Sequence, residues 1–244
     1  MDFLTQHMNS IILGDCLDVM KQMPDKCVDL VLTDPPYGMS FQSGYRKIKY
    51  AHIENDNSLN WLPDWLSEVN RVRRPESHLY IFCSWHNVDV FKRLAEQYFN
   101  IKNILIWMKN NTGMGDLIND YAPQYEMILY VNPQNKPLNM GRDSNILKFA
   151  RTQNARHPTE KPVDLFKTLI LKSSTNNDLV FDPFSGFGTT AVACHKLNRR
   201  FICVEKNPDY WQASVQRLEN ERKQIGMPFD FTASADEMGA APDR

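Results

Sequence analysis

The sequence lacks the features that would tie it to a membrane, to an oxidising compartment or to a uniformly basic surface. No apolar run approaches the roughly 20 residues that a membrane-spanning helix needs, and the mean hydropathy is −0.48. The five cysteines include no C-x-x-C pair, which argues against a disulfide scaffold or a zinc site and favours a reducing cytosol. The 28 Lys and Arg against 29 Asp and Glu exclude a uniformly basic nucleic-acid-binding protein, although a local basic face is compatible with this balance. The opening MDFLTQHMNS has no basic or apolar segment typical of a secretion signal.

The sequence does have a regular alternation of short β-branched runs and amphipathic segments, which is typical of an α/β domain. Its 244 residues suffice for one such domain, predicted over residues 1–225. Two polar stretches, 38–57 and 132–158, interrupt the alternation, and we expect no fixed structure in the acidic tail at 226–244. The predicted strands are 10–15, 28–34, 78–83, 104–108, 125–131, 179–181 and 201–205, and the predicted helices are 16–23, 59–73, 87–98, 162–172, 189–197 and 208–222.

A glycine turn follows the predicted strand at 179–181 and leads into a helix. It contains Gly186-x-Gly188, and glycine is needed where the backbone turns tightly or a ligand comes close to it. Glu205 ends the next strand, where a carboxylate can accept hydrogen bonds from both ribose hydroxyls of an adenosine. The pattern fits an ordinary tight turn, a dinucleotide site of the G-x-G-x-x-A type or an S-adenosylmethionine site. Asp182 favours the third, since a carboxylate suits an ammonium group and would repel a pyrophosphate.

A second motif, Asp34-Pro35-Pro36-Tyr37, closes the predicted strand at 28–34. Open α/β sheets bind ligands at such strand ends. The two prolines stiffen the turn and lack N–H donors, so its carbonyls and the Asp34 carboxylate form a group of acceptors. Such a group can hold both hydrogens of an exocyclic amine, and the Tyr37 ring can stack on an unstacked base. The alternative is a proline-rich turn with a buried tyrosine.

Together these motifs resemble those of the β-class amino DNA methyltransferases, which use S-adenosylmethionine to methylate an exocyclic amine. The resemblance covers about residues 9–222, with a catalytic motif at 34–38 and a cofactor motif at 181–190. The segment HPTEKP at 157–162 is similar to the family's HPTxKP, and Gly14-Asp15-Cys16 to its third cofactor contact. The catalytic motif precedes the cofactor motif by 148 residues, from 34 to 182, and this permuted order is the most specific point of resemblance.

The resemblance implies a Rossmann-like, circularly permuted α/β methyltransferase fold that binds S-adenosylmethionine and no metal. It assigns catalysis to Asp34, Pro35, Pro36 and Tyr37, acting on a base flipped out of the duplex. The sequence departs from the family at Phe187, where a small residue is usual, and in a target-recognition segment of only about 26 residues. The implied cofactor-binding residues are Asp15, Cys16, Asp34, Thr159, Lys161, Asp182, Phe184, Gly186, Gly188, Thr189 and Glu205.

Basic side chains concentrate in the two polar stretches, both of which we expect beside the predicted site. They indicate a nucleic-acid partner, because such residues neutralise phosphates and interleaved aromatics stack on bases. The alternative is that the stretches are solvated surface loops. The resemblance also implies a cytoplasmic, bacterial or phage-encoded enzyme, with a homodimer and a separately encoded restriction endonuclease as candidate partners. The candidate DNA-binding residues are Tyr45, Arg46, Lys47, Lys49, Arg142, Lys148, Arg151 and Arg156.

The first residue of the catalytic motif favours one of the two bases that carry an exocyclic amine methylated by this family. Asp34, rather than Ser, favours adenine-N6 over cytosine-N4 within the family. Cytosine-N4 methylation is the first alternative. An RNA or protein-glutamine methyltransferase is less compatible with the motif order, since those usually have the cofactor motif first. A non-catalytic DNA-binding module and a dehydrogenase are the alternatives from other classes.

Overall fold

The computed structural model of the protein describes residues 2–37, 59–112, 118–152 and 160–225, and these ranges form one eight-stranded sheet with flanking helices. No helix within them is long and apolar enough to cross a membrane. The strands are β1 (Ser10–Leu13), β2 (Val28–Thr33), β3 (Arg73–Cys83), β4 (Ile101–Met108), β5 (Tyr125–Val131), β6 (Ile146–Lys148), β7 (Leu179–Asp182) and β8 (Arg200–Glu205). The helices are α1 (Phe3–His7), α2 (Cys16–Gln22), α3 (Leu62–Val72), α4 (Val88–Ala95), α5 (Val163–Ser173), α6 (Thr189–Lys196) and α7 (Pro208–Ile225).

The sheet has the strand order β1-β8-β7-β2-β3-β5-β4-β6. The first five strands are parallel. β5 then runs antiparallel to both β3 and β4, and β6 is parallel to β4, so β4 and β6 share the direction of the first five. Seven of the described strands therefore end at one edge of the sheet, called here the carboxyl edge, and β5 begins there.

Alternate residues of the central strands face two separate layers of helices, as the two-residue period of a strand requires. Val31 of β2 packs with α2, α3 and α4, whereas Leu30 and Leu32 pack with α5, α6 and α7. The same alternation places Phe181 of β7 on the first face and Val180 on the second. A strand buried on both faces reads as a continuous apolar run, which is why β2 is buried throughout.

The predicted strands and helices are all present, although their ends differ from those predicted. Two elements, α1 and β6, were not predicted. β3 begins at Arg73, five residues before the predicted start, because its polar first half pairs with the beginning of β2. β6 lies inside the stretch 132–158, for which no strand was predicted. Its three residues are too few to show a period, and pairing with β4 holds them in place. The predicted loop at 38–57 and the tail at 226–244 lie outside the described residues.

Candidate active site at the carboxyl edge

The two motifs meet because β2 and β7 are neighbours in the sheet. Asp34 directly follows β2, and Asp182 is the last residue of β7. Pairing of Val31 with Phe181 brings these strand ends side by side at the carboxyl edge. Asp34 and Asp182 are 148 residues apart in the sequence, and the parallel pairing of β2 with β7 brings them close together in the fold.

Asp34 is held by two side chains, one on each carboxylate oxygen. Oδ1 accepts a hydrogen bond from the Tyr37 hydroxyl, and Oδ2 pairs with the Lys161 ammonium. The Lys161 side chain is 6% exposed and that of Asp34 is 23% exposed. Burial raises the pKa of Asp34 although the ion pair with Lys161 opposes it. Lys161, predicted as a cofactor contact, therefore lies directly against the predicted catalytic carboxylate.

A second partly buried carboxylate, Glu126, lies beside that of Asp34. Its Oε2 is 3.1 Å from Lys161 Nζ, and its Oε1 is 2.8 Å from Lys109 Nζ. Burial alone would raise the pKa of Glu126, but the two lysines hold it below its usual range. In turn the two carboxylates raise the pKa of Lys161 despite its burial. The site therefore contains two carboxyl groups and two lysine side chains in mutual contact.

The turn at 34–37 is also tied to the end of β3. The Asn87 side-chain amide donates to the Tyr37 carbonyl, and the Asn87 N–H donates to Ser84 O at 3.1 Å. On this short connection the Trp85 ring is 51% exposed and stacks on His86 at a centroid distance of 3.8 Å. Burial raises the pKa of Tyr37 well above its usual value, so its hydroxyl is a neutral donor.

The two glycines of the cofactor motif serve different purposes. Gly186 (φ +51°) donates its N–H to Glu205 Oε2 at 2.7 Å, and a Cβ at this position would meet nothing within 4 Å. A Cβ on Gly188 (φ +73°) would lie 3.0 Å from Ser214 Cβ of α7 and 3.3 Å from Ile11 Cδ1 of β1. The open side that a ligand needs is therefore at Gly186, whereas Gly188 allows close packing of the fold.

Asp182 points into its own turn. It is 3% exposed, accepts the Phe184 N–H at 3.1 Å and accepts the Thr190 hydroxyl. Burial raises the pKa of this carboxyl to about 7. Its first structural task is to hold the glycine turn against the start of α6.

The ends of β8 and β1 add acidic groups beside the glycine turn. Glu205 accepts backbone N–H groups from Gly186 and, at 2.9 Å, from Asn207, which leaves further lone pairs on both oxygens. Asp15 caps α2 by accepting the Leu17 N–H at 2.9 Å. Burial raises the pKa of the adjacent Cys16 thiol to about 12, so this side chain is neutral.

Two further predicted cofactor residues, Phe184 and Thr189, flank the turn. The Phe184 ring lies 5.5 Å from Trp61 and 5.7 Å from Trp65, within a cluster that covers the first face of the sheet. The buried Thr189 hydroxyl donates to Lys161 O at 3.4 Å, which joins the turn to the end of the HPTEKP segment. Phe187, where the family usually has a small residue, packs its ring 5.8 Å from Tyr210.

Two of the predicted DNA-binding residues lie at the carboxyl edge. Lys148 ends β6, and Arg151 follows it with its backbone N–H bound to Asn110 Oδ1 at 2.9 Å. The predicted DNA-binding residues Tyr45, Arg46, Lys47, Lys49 and Arg156, and the predicted cofactor residue Thr159, lie outside the described residues.

Arg142 lies elsewhere, which corrects the expectation that the whole stretch 132–158 is beside the site. Its neighbours Gly141 and Asp143 contact Lys172 Nζ at 3.1 and 2.7 Å. Lys172 is in the last turn of α5, which starts next to Lys161 and is about 16 Å long. β5 ends at the opposite edge of the sheet, and β6, which is parallel to β4, begins there. The chain between these two strands therefore carries Arg142 at that edge.

Glu126 and Lys109 were not predicted as functional residues from the sequence. Lys109 follows β4, but Glu126 is the second residue of β5, an antiparallel strand that begins at the carboxyl edge. A carboxylate within the otherwise apolar run YEMILYV was the available signal. An isolated acid in a strand indicates a partner for its charge but does not identify that partner.

A family model for DNA methylases matches residues 28–216. The chain belongs to this N6/N4 family. It is 33% identical to the putative methylase YubD of Escherichia coli (strain K12), over 86% of this chain and 90% of YubD. It is 28% identical to the DNA adenine methyltransferase YhdJ of the same organism, over 86% of this chain and 82% of YhdJ. The crystal structure of the M1.HpyAVI–SAM complex has 26% sequence identity and a TM-score of 0.65, and the match covers 86% of this chain and 98% of that one.

These matches confirm the resemblance to the amino DNA methyltransferases and the Rossmann-like methyltransferase fold. They also agree with the permuted motif order, since the match to the family spans both the turn at 34–37 and the glycine turn at 186–188. The chain is a DNA methyltransferase.

Proposed function

We propose that this DNA methyltransferase uses S-adenosylmethionine to methylate N6 of adenine in DNA. The observation that carries the proposal is the position of Asp34. Its carboxylate lies at the end of a central strand, next to a glycine turn whose open side is at Gly186. The group proposed to bind the base amine and the turn proposed to bind the cofactor are therefore adjacent at one sheet edge, where doubly wound folds bind their ligands.

The residues around the glycine turn fit the cofactor. Gly186 leaves open space where a Cβ would otherwise be, and Glu205 keeps acceptor lone pairs for ribose hydroxyls. The remaining predicted contacts support the proposal, since Asp15 and Cys16 begin α2, Phe184 follows β7 and Thr189 begins α6. S-adenosylmethionine, when bound, supplies an electrophilic methyl group whose bond to sulfur breaks as its bond to N6 forms.

Asp34 acts on the base. Its oxygens accept the N6 hydrogens, which orients the nitrogen lone pair towards the methyl group and stabilises the positive charge that develops on nitrogen. N6 then loses one proton, and Asp34 is the acceptor favoured by its raised pKa. The rigid turn of Pro35 and Pro36 holds this carboxylate in place, and the ring of Tyr37 is the stacking surface for the base.

The choice of adenine over cytosine rests on Asp34 at the head of the motif, and it agrees with the name of the relative YhdJ. Adenine and cytosine present the same kind of exocyclic amine, so cytosine-N4 is the second candidate that the N6/N4 family allows. Lys148 and Arg151 supply positive charge at the same edge for the DNA backbone. A dimeric assembly and a separately encoded restriction endonuclease remain predictions that rest on the family resemblance.

The test is methyl transfer from tritiated S-adenosylmethionine to unmethylated duplex DNA, followed by digestion and identification of the modified nucleoside. We expect N6-methyladenine from the wild type and none from Asp34→Ala. Asp18→Ala, which removes a 73% exposed acid on α2, is the matched control and should retain activity. A cooperative urea unfolding transition like that of the wild type verifies that Asp34→Ala is folded, independently of its cofactor binding.

Two outcomes would overturn the proposal. N4-methylcytosine would retain the reaction and the role of Asp34 but refute the choice of base. Tight cofactor binding without transfer to DNA would refute the assignment of DNA amine methylation to this site and favour the non-catalytic alternative.

A further inference from the structure

The Asp34 carboxylate is neutralised in this structure by the groups that surround it. Tyr37 donates to Oδ1 and Lys161 pairs with Oδ2. Asp34 must accept the N6 hydrogens and stabilise a nitrogen that becomes positive. An ammonium group in contact with the same carboxylate opposes both tasks, because it lowers the negative potential at the acceptor and repels the developing charge.

A second acceptor for both groups is already in place. Glu126 Oε2 lies 3.1 Å from Lys161 Nζ and 3.4 Å from the Tyr37 hydroxyl oxygen. One oxygen of Glu126 thus faces both of the groups that occupy Asp34. Transfer of Lys161 and of the Tyr37 hydrogen bond from Asp34 to Glu126 requires only small side-chain movements and no change of backbone.

Lys109 makes this second acceptor stable. It pairs with the other oxygen of Glu126 at 2.8 Å, and its Nζ lies 5.0 Å from the centroid of the Trp107 ring. Glu126 therefore keeps a lysine partner whether or not Lys161 moves towards it. Asp34 has no second lysine among the described contacts, so it is the carboxylate that can be freed.

We propose that Glu126 is a positioning residue that takes Lys161 and the Tyr37 hydroxyl from Asp34 when the target base enters. This inference rests on the proposed function, since it requires an amine that binds Asp34. In the state without the base, Lys161 compensates the charge of the partly buried Asp34, whose isolation would be costly. When the amine arrives, Lys161 shifts to Glu126, and both Asp34 oxygens become available to the N6 hydrogens.

The decisive variant is Glu126→Gln, which keeps the shape of the side chain but removes its charge. Lys161 should then stay on Asp34. We expect the single-turnover rate of methyl transfer to fall about 10- to 100-fold, the scale of one charge-assisted hydrogen bond. The Kd for S-adenosylmethionine should stay within about twofold, since the contacts that the structure describes for Glu126 are with Lys161, Lys109 and Tyr37 and not with the glycine turn.

A second substitution separates positioning from structural support. Adding Lys161→Gln to Glu126→Gln removes the group that competes for Asp34, so the double variant should be faster than Glu126→Gln alone. If Glu126 only stabilised the fold, removing its partner as well would leave the rate as low or lower. Glu126→Asp keeps the charge near Lys109 but withdraws it from Lys161, so its rate should lie between those of the wild type and Glu126→Gln.

The outcomes are separable from those of the proposed function. A wild type that transfers no methyl group to DNA would refute the function itself. A wild type that transfers methyl groups, with Glu126→Gln equally fast or with a double variant no faster than Glu126→Gln, would overturn the role of Glu126 alone.

Discussion

Replacing Gly188 with alanine should destabilise the fold more than the same change at Gly186. Both residues have positive φ, +73° and +51°, so each alanine incurs backbone strain of about 1–2 kcal/mol. At Gly188 the new Cβ would also lie 3.0 Å from Ser214 Cβ, below the optimal carbon separation of roughly 3.5–4.0 Å. Ser214 is buried in α7 and cannot rotate away, because the contact involves its Cβ. Overpacking of this kind costs about 1–3 kcal/mol more.

The free energy of unfolding in urea, measured without cofactor, tests this difference. We expect losses of about 2–5 kcal/mol for Gly188→Ala and about 1–2 kcal/mol for Gly186→Ala. Cofactor titration should show a different order, with the larger loss of affinity at Gly186, whose Cβ would project into open space beside Glu205. Equal stabilities for the two variants would refute the assignment of Gly188 to packing.

Two further predictions concern pH and salt. Burial raises the pKa of Asp182 from 3.8 to about 7, so between these values the folded state holds a proton that the unfolded state has lost. The free energy of unfolding should therefore fall as pH rises through this window, and Asp182→Asn should flatten that slope in urea titrations; an unchanged slope would contradict the prediction. For DNA binding, a plot of the logarithm of the association constant against the logarithm of the salt concentration should become shallower. Lys148→Ala and Arg151→Ala should each reduce the magnitude of its slope by about 1. Arg142→Ala, at the opposite edge, should leave it unchanged, and an equal reduction for all three would show that Arg142 also contacts phosphate.

Most of the sheet was predictable because each strand carries its own signal. β2, β7 and β8 are buried on both faces, so their apolar runs stand out against the charged helices between them. β6 was not predictable, since its three residues become a strand only by pairing with β4. The antiparallel direction of β5 was not predictable either, because no local feature of a strand encodes the direction of its neighbour.

That reversal explains both what was missed and what was misplaced at the site. Because β5 runs against the other strands, its start lies at the carboxyl edge and brings Glu126 to Asp34. For the same reason its end lies at the opposite edge, so the chain that follows carries Arg142 away from the site. The motif at 157–162 indicated that Lys161 belonged to the site, but only the folded chain shows that it pairs with Asp34 rather than lying in the glycine turn.

The acids at the carboxyl edge have different tasks because they have different partners. Glu205 accepts backbone N–H groups, and Asp182 accepts groups of its own turn, so neither can move without loosening the fold. Asp34 and Glu126 are held by side chains instead, and burial raises the pKa of the first while two lysines lower that of the second. Neighbouring groups whose pKa values are pushed apart are suited to different steps of one reaction. In the proposed mechanism, Asp34 is therefore the member of the pair that receives a proton, and Glu126 is the member that holds a cation while it does so.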